Sequence, residues 1–260
     1  MFVQGGDRRP VAAGLLGGRT TIGEVVPESI PPVADAIARS VLTPLRAYHR
    51  FHTVGLEHVP REGAAMVVMH HSLATYDAFL IARDIIERCG RLPVGLGDDN
   101  LFKVPGLRRL CRDLGIRPAR PETGAEVLAE GGLLMLSPGG TREALRPHTE
   151  RNRPLWHDRF GFVRLAIRMQ VPVLVAGCPA GDRIYKVYDS RITRWAYART
   201  RWPVPIARGI GPTALPRPVR LTGYVGVPLH PPAAPPDDAE AVTRFHRQLT
   251  DAMIELLHRR

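Results

Sequence analysis

The sequence predicts an α/β domain: a mixed, mostly parallel sheet flanked by helices and preceded by an amphipathic N-terminal helix. Three observations carry that expectation. Short apolar runs alternate with amphipathic stretches from residue 52 onward, the pattern of strands joined by crossover helices. Most of the strand-like runs are continuously apolar, as strands covered by helices on both faces must be. Two of them, Ala65–Met69 and Leu133–Leu136, stop at polar or glycine-rich segments, and open α/β sheets carry their sites at such strand ends.

The elements follow in order. Residues 1–30 are rich in Gly and Pro without periodicity and read as a loose leader. Residues 31–50 form an amphipathic helical segment, with Val33, Ile37, Val41, Leu45 and Tyr48 on one face and Arg39, Arg46 and Arg50 elsewhere. Pro44 lacks an N–H and should kink or split it. Residues 51–260 then form one domain. Its strands are expected at His52–Leu56, Ala65–Met69, Leu92–Leu96, Leu133–Leu136 and Pro172–Ala176, with helices at about 77–89, 105–113, 122–130 and 158–170. The span Arg183–Trp202 reads as one basic amphipathic helix with Ile184, Tyr188, Ile192 and Trp195 on a face. Val219, Leu221, Val225 and Val227 alternate with other residues as a half-buried strand would. A last helix opens at Asp238, a residue type suited to an N-cap, and places Val242, Phe245, Leu249, Met253 and Leu256 on one face.

Composition narrows the function classes. With 260 residues, 44% hydrophobic and 23% charged, the chain needs neither disulfide nor metal to hold a core. Cys89, Cys111 and Cys178 are far apart, so they read as thiols of a reducing compartment. No apolar run approaches the roughly 18 to 20 residues of a membrane span. Asp7, Arg8, Arg9 and Pro10 interrupt any signal-peptide core, so the expected location is cytoplasmic, soluble or peripheral. The net charge is +11, carried almost wholly by arginine, since Lys103 and Lys186 are the lysines. Guanidinium groups pair bidentately with phosphate, which makes phospholipid headgroups, coenzyme A or nucleic acid candidate partners. The arginines are dispersed and no helix-turn-helix, zinc or RNP pattern accompanies them, so nucleic acid is not expected. The dispersed histidines give no metal-ligand spacing, and neither a G-x-S-x-G elbow nor a Walker A loop occurs.

Two segments carry chemistry. In the first, an apolar strand ends at His70 and His71, and Asp77 opens the next helix six residues after His71. A carboxylate on one ring nitrogen would fix the tautomer and leave the other nitrogen to take a proton from an attacking hydroxyl. The bare spacing equally fits a histidine capping the sheet and an aspartate capping the helix. In the second, the strand 133–136 runs into Ser137, Pro138, Gly139, Gly140, Thr141, Arg142 and Glu143. Glycines here let backbone approach a ligand, and Arg142 could clamp a phosphate; a tight turn with a solvated Arg-Glu pair fits the same residues.

The two segments together resemble the glycerolipid and lysophospholipid acyltransferase family. They are most similar to the branch with an HxxxxxD block and a PGG-x-REAL block, which includes diacylglycerol acyltransferase-like proteins. Val54-Gly55-Leu56-Glu57-His58-Val59-Pro60 resembles that branch's V-x-G-x-E-x-x-P lead-in. The stretch from Trp156 through Arg159, Gly161, Phe162, Leu165 and Ile167 resembles its W-x-x-R-x-GF-x-R-L-A-I block, with Val171-Pro172-Val173 as the following strand. The resemblance covers about residues 50 to 180 and makes 51–260 an acyltransferase domain. It implies transfer of a fatty acyl group from a thioester, acyl-CoA or acyl-carrier protein, to a lipid hydroxyl, with no metal and no cofactor beyond that co-substrate. It implies His71 as base, Asp77 as its orienting carboxylate, and Gly139, Gly140, Thr141, Arg142 and Glu143 lining the acceptor site. Arg120 stands near the family's phosphate-binding arginine, with Arg117 also available. Counting from His70 leaves six residues before Asp77, a spacing that fits neither branch. The commoner phospholipid branch has one residue fewer between His and Asp and a glutamate where Gly139 stands, so the acceptor lipid stays open. A hydrolase on the same scaffold and a noncatalytic lipid- or nucleic-acid-binding protein are the competing readings. Contact with an anionic membrane surface, on the inner face of the cell membrane, is expected through 33–50 and 183–202.

Overall fold

The computed structural model describes residues 32–200, 202 and 204–259, so the leader at 1–30 lies outside the described residues. The described chain is a three-layer α/β arrangement on a seven-stranded sheet. The strands are β1 (His52–Val54), β2 (Ala65–Met69), β3 (Pro93–Gly97), β4 (Ile116–Pro118), β5 (Leu133–Leu136), β6 (Val173–Gly177) and β9 (Thr222–Val225). Their order is β1-β9-β6-β2-β5-β3-β4. All neighbouring pairs are parallel except β6 with β9, so the sheet is mixed and mostly parallel, as the sequence predicts.

The central strands are buried on both sides, and each face builds its own core. Met66 and Val68 of β2 join Leu134, Val173 and Val175 under α5 (Pro121–Ala129), α7 (Gly161–Met169) and α9 (Ala239–Leu257). Ala65, Val67 and Met69 point the other way and pack with Leu80, Ile81 and Ile85 of α3 (Tyr76–Cys89). This is the period-two alternation of a strand, with both halves apolar because both faces are covered. Gly223 of β9 is required by that packing: a Cβ there would stand 2.8 Å from Ile81 and 3.0 Å from Phe51. Asp238 caps α9 by accepting from the N–H groups of Glu240 and Ala241, 3.0 Å each.

The N-terminal segment is α1 (Pro32–Ile37), a wide π turn at Ala38–Leu42 and α2 (Thr43–Tyr48), so Pro44 does split it. The proline sits in the first turn of α2, where its missing N–H costs no hydrogen bond. Arg83 closes the junction, donating to Ala38 O (2.9 Å) and Thr43 Oγ1 (2.7 Å). Arg46 of α2 pairs with the buried carboxylate of Asp84, which also accepts from Thr53 Oγ1 at 2.6 Å. Losing Arg46 would leave the buried Asp84 carboxylate with Thr53 and without its cation, so these contacts anchor the segment on α3.

Three details differ from the sequence reading. The edge strand β4 was not expected; its three residues include an arginine and a proline and carry no apolar run. The turn after β5 closes as a short helix, α6 (Gly140–Ala144), while α4 (Pro105–Asp113) lies where expected. The stretch 183–202 is not one helix. Ile184 is fully buried and Lys186–Val187 form β7, paired antiparallel with β8 (Ala207–Arg208). Helix α8 (Arg191–Thr200) starts only after Ser190, whose hydroxyl accepts from Thr193 N–H at 3.3 Å. The apolar period was real, but Ile184 serves the core and Ile192 and Trp195 serve the surface.

Candidate active site

The site grows from the last residue of the β2 ladder. His70 still donates its N–H to Ala176 O of β6, 3.0 Å away, and this bond fixes the position of its backbone on the sheet. The chain then leaves the sheet at His71. The His71 ring Nδ1 lies 2.9 Å from Ser72 O. A carbonyl oxygen only accepts, so Nδ1 carries the proton and Nε2 is the basic nitrogen of the neutral ring. Burial holds the His71 pKa below the usual imidazole range, partly opposed by the Ser72 bond, so the ring is neutral near pH 7.

Asp77, in the first turn of α3, is buried and accepts from Ser72 Oγ at 2.9 Å. Among the described residues no hydrogen bond joins Asp77 to the His71 ring directly. The two are linked through Ser72, whose carbonyl serves the imidazole and whose hydroxyl serves the carboxylate. Thr75 makes the turn possible at φ 59°, a conformation unusual for a residue other than glycine, and its N–H donates to Ser72 Oγ at 3.3 Å. Burial raises the Asp77 pKa to about 6, opposed by the Ser72 hydrogen bond.

The second loop meets the first at Glu143. This carboxylate is fully buried; Oε2 accepts from His71 N–H at 3.3 Å and Oε1 from Leu155 N–H at 3.1 Å. Burial raises its pKa to about 7, with Arg146 pulling in the opposite direction. Arg159, from the Trp156–Ile167 block, donates to Pro138 O and so fastens that block to the glycine turn. Gly140 takes φ 52°, the left-handed region that glycine enters freely.

A buried ionic cluster completes the region. Arg146 donates to His70 Nε2 at 2.7 Å, to Arg153 O at 2.8 Å and to Asp182 at 2.5 Å, and lies 3.7 Å from Glu143 Oε1. Guanidinium only donates, so the His70 Nε2 lone pair is occupied and its proton resides on Nδ1. That Nδ1 is buried without a partner among the described residues, and the His70 pKa falls to about 4, chiefly through burial.

The structure therefore gathers His71, Asp77 and Glu143 in one place, with Gly139 packed against Glu143 and Gly140 and Thr141 opening α6. Arg142 is exposed on that helix. Arg120 is not brought in. It is exposed at the start of α5, 3.5 Å from Asp99, and the strand two residues before it, β4, is three places along the sheet from β2, on the order of 14 Å. Sequence reasoning missed Ser72, Arg146 and Asp182. Arg146 directly follows the PGG-x-REAL block, ten residues beyond the end of β5, and Asp182 lies five residues beyond β6, so of the two only Asp182 stands close enough to a strand end for inspection of strand ends to reach it. Among the described residues, no group of three or more His, Cys, Asp or Glu side chains is gathered as metal ligands would be.

A family model described as Acyltransferase matches residues 50–178, the interval from β1 to β6 that holds both histidines, Asp77, Glu143 and Arg146. The chain belongs to the acyltransferase family. Within that family, the chain is 30% identical over 212 residues to a Bos taurus protein named "DGAT1/2-independent enzyme synthesizing storage lipids", covering 80% of this chain and 60% of the relative. It is 26% identical over 208 residues to an uncharacterized Mycobacterium tuberculosis protein, covering 74% of this chain and 56% of that one. The chain thus spans about 60% of the length of the curated storage-lipid relatives it matches. The fold of this acyltransferase-family chain is shared with the 1-acyl-sn-glycerophosphate (LPA) acyltransferase PlsC of Thermotoga maritima, at a TM-score of 0.51 and 16% identity over 87% of this chain and 83% of the other.

Proposed function

We propose that the chain transfers a fatty acyl group from a thioester, acyl-CoA or acyl-carrier protein, to a hydroxyl of a glycerolipid or lysophospholipid. The observation that carries this reading is the pairing of the two histidines. His71 has its Nδ1 proton held by Ser72 O and its Nε2 left basic, whereas the equivalent nitrogen of His70 is taken by Arg146. In the proposed reaction Nε2 of His71 accepts the acceptor's hydroxyl proton as the oxygen attacks the thioester carbonyl. The tetrahedral oxyanion collapses, the carbon–sulfur bond breaks, and the imidazolium returns its proton to the leaving thiolate. Asp77 supports the imidazole through Ser72. Relatives named for storage-lipid synthesis and for LPA acylation favour a lipid acceptor over water.

The protein as proposed works on the inner face of the cell membrane, held peripherally. Among the described residues no helix is long and apolar enough to cross a membrane. The exposed apolar residues Ile192 and Trp195 of α8, beside Arg191 and Arg199, offer a basic aromatic surface for anionic lipid.

The deciding experiment is a radiolabelled acyl-CoA transfer assay with wild type and His71→Ala, against lysophospholipids, monoacylglycerol, diacylglycerol and glycolipid. A wild-type lipid product lost in His71→Ala supports the reading and identifies the acceptor. Free fatty acid released without an acceptor product would replace it with hydrolysis, and an undiminished His71→Ala would remove His71 as base.

A further inference from the structure

We infer that Arg146 is the positioning residue that makes His71, and not the adjacent His70, the base of this site. The inference takes from the acyl-transfer reading that a base acts here; the two ring tautomers are independent of it.

Four segments meet on one buried guanidinium. His70 comes from the end of β2, Glu143 from α6, Arg153 from the loop after it, and Asp182 from the segment after β6. The Arg146 side chain is 2% exposed and that of Asp182 9%, so these are interior contacts rather than a solvated ion pair. Their geometry excludes one histidine. Nε2 of His70 accepts from Arg146, and a ring nitrogen whose lone pair already holds a hydrogen bond cannot also receive a substrate proton. The opposite nitrogen carries the remaining proton and is buried with no partner among the described residues. His70 is thereby locked as a neutral Nδ1–H tautomer, with Asp182 as the counter-charge that keeps the guanidinium in place.

The same guanidinium acts on His71 through Glu143. Arg146 lies 3.7 Å from Glu143 Oε1, while Oε2 of that carboxylate accepts the His71 backbone N–H. A neighbouring cation favours the charged form of a buried carboxylate, and the charged form accepts the stronger hydrogen bond. Removing Arg146 therefore releases the His70 ring and weakens the hold on the His71 backbone in one step. Asp182 has a further duty, accepting the Asn152 N–H at 2.9 Å, which ties the loop after α6 to the same cluster.

The test reads the rings directly. Long-range ¹H–¹⁵N correlation on histidine-labelled full chain, assigned with His70→Gln and His71→Gln, reports the tautomer of each ring without any substrate. Wild type is expected to show both His70 and His71 protonated on Nδ1, with His70 not titrating between pH 5 and 8. In Arg146→Met, His70 should move to the commoner Nε2–H tautomer or begin to titrate, and Arg146→Lys should retain part of the wild-type pattern. In the transfer assay Arg146→Met should lower kcat about 10- to 100-fold with KM changed less, because the substitution removes positioning of the base in the transition state rather than substrate binding. A wild-type His70 protonated on Nε2 overturns the inference even if Arg146→Met fails to fold. So does an unchanged His70 tautomer in a folded Arg146→Met. A wild type with the expected tautomers but no acyl transfer overturns the acyl-transfer reading and, with it, the assignment of a base.

Discussion

Glu143 fills the space in which a side chain on Gly139 would have to begin: a Cβ there would collide with the Glu143 carboxylate and its Cβ. Gly139 has ordinary helical φ (−64°), so the glycine is required by space and not by backbone angle. Gly139→Ala should displace Glu143 from His71 N–H and Leu155 N–H. We expect a loss of about 1–3 kcal/mol from a core position that cannot absorb the added carbon, with reduced transfer activity. Combining it with Glu143→Ala should cost less than the sum of the two, because the carboxylate no longer competes for the space and only the contact with the Cβ at 143 remains. Thermal unfolding of the four chains of this cycle measures the coupling, and strict additivity would mean the two residues do not share the space.

Glu143 should also write a pH signature into stability. Its pKa is raised from 4.5 to about 7 on folding, so the folded chain holds the proton more tightly than the unfolded one. The folded state then loses stability as pH rises from about 4.5 through about 7, and the loss levels off above that. Glu143→Gln removes the titration. Its stability relative to wild type should increase across that window, by on the order of 3 kcal/mol before the cost of the altered hydrogen bonds. Asp77 has the same sign below about 6 but is present in both chains and cancels. Melting temperatures of both chains across this range are the measurement, and a difference independent of pH would place the Glu143 titration elsewhere.

Strands β2 and β5 were legible to the residue, because a strand covered on both faces must be apolar throughout and must end where polarity begins. Helix α9 was legible for its cap and its stripe. The ribbon of β7 and β8 was not: each strand is two residues long, and its partner lies about twenty residues away. At the site, motif resemblance singled out His71, Asp77 and Glu143, but not how they connect. Ser72 links His71 to Asp77 only because Thr75 turns the loop at positive φ, and spacing alone does not encode that turn. Arg146 was invisible for a related reason. Its partners His70 and Asp182 are 76 and 36 residues away, so its role exists only once three strand ends are brought to one edge.

The Ser72 link separates two designs of the His–Asp pair. If Asp77 acts through Ser72, Ser72→Ala should lower kcat about tenfold, well short of the roughly 10²- to 10⁴-fold expected for His71→Ala. Asp77→Asn introduced into Ser72→Ala should then add little, because the two residues act as one unit. If Asp77→Asn costs its full factor in the Ser72→Ala background, the carboxylate reaches the imidazole directly during turnover. Steady-state kcat for the single and double variants decides between them.

Membrane contact is tested on α8 because its outward apolar residues have no structural duty. Ile192 is 67% and Trp195 70% exposed, whereas Ile184, from the same sequence period, is fully buried. Replacing an exposed indole should therefore leave folding unchanged within about 0.5 kcal/mol. Trp195→Ala should nonetheless weaken binding to vesicles containing anionic lipid, since the ring would lose its place at the headgroup level. Added salt should weaken wild type and Trp195→Ala alike by screening Arg191 and Arg199, leaving the difference between them nearly constant. Vesicle co-sedimentation across a salt series gives both quantities. Equal binding of wild type to neutral and anionic vesicles at low salt would remove the electrostatic half of the argument. Equal binding of wild type and Trp195→Ala would remove α8 as the contact and leave the exposed Val33 and Val41 of the N-terminal segment as the surface to test next.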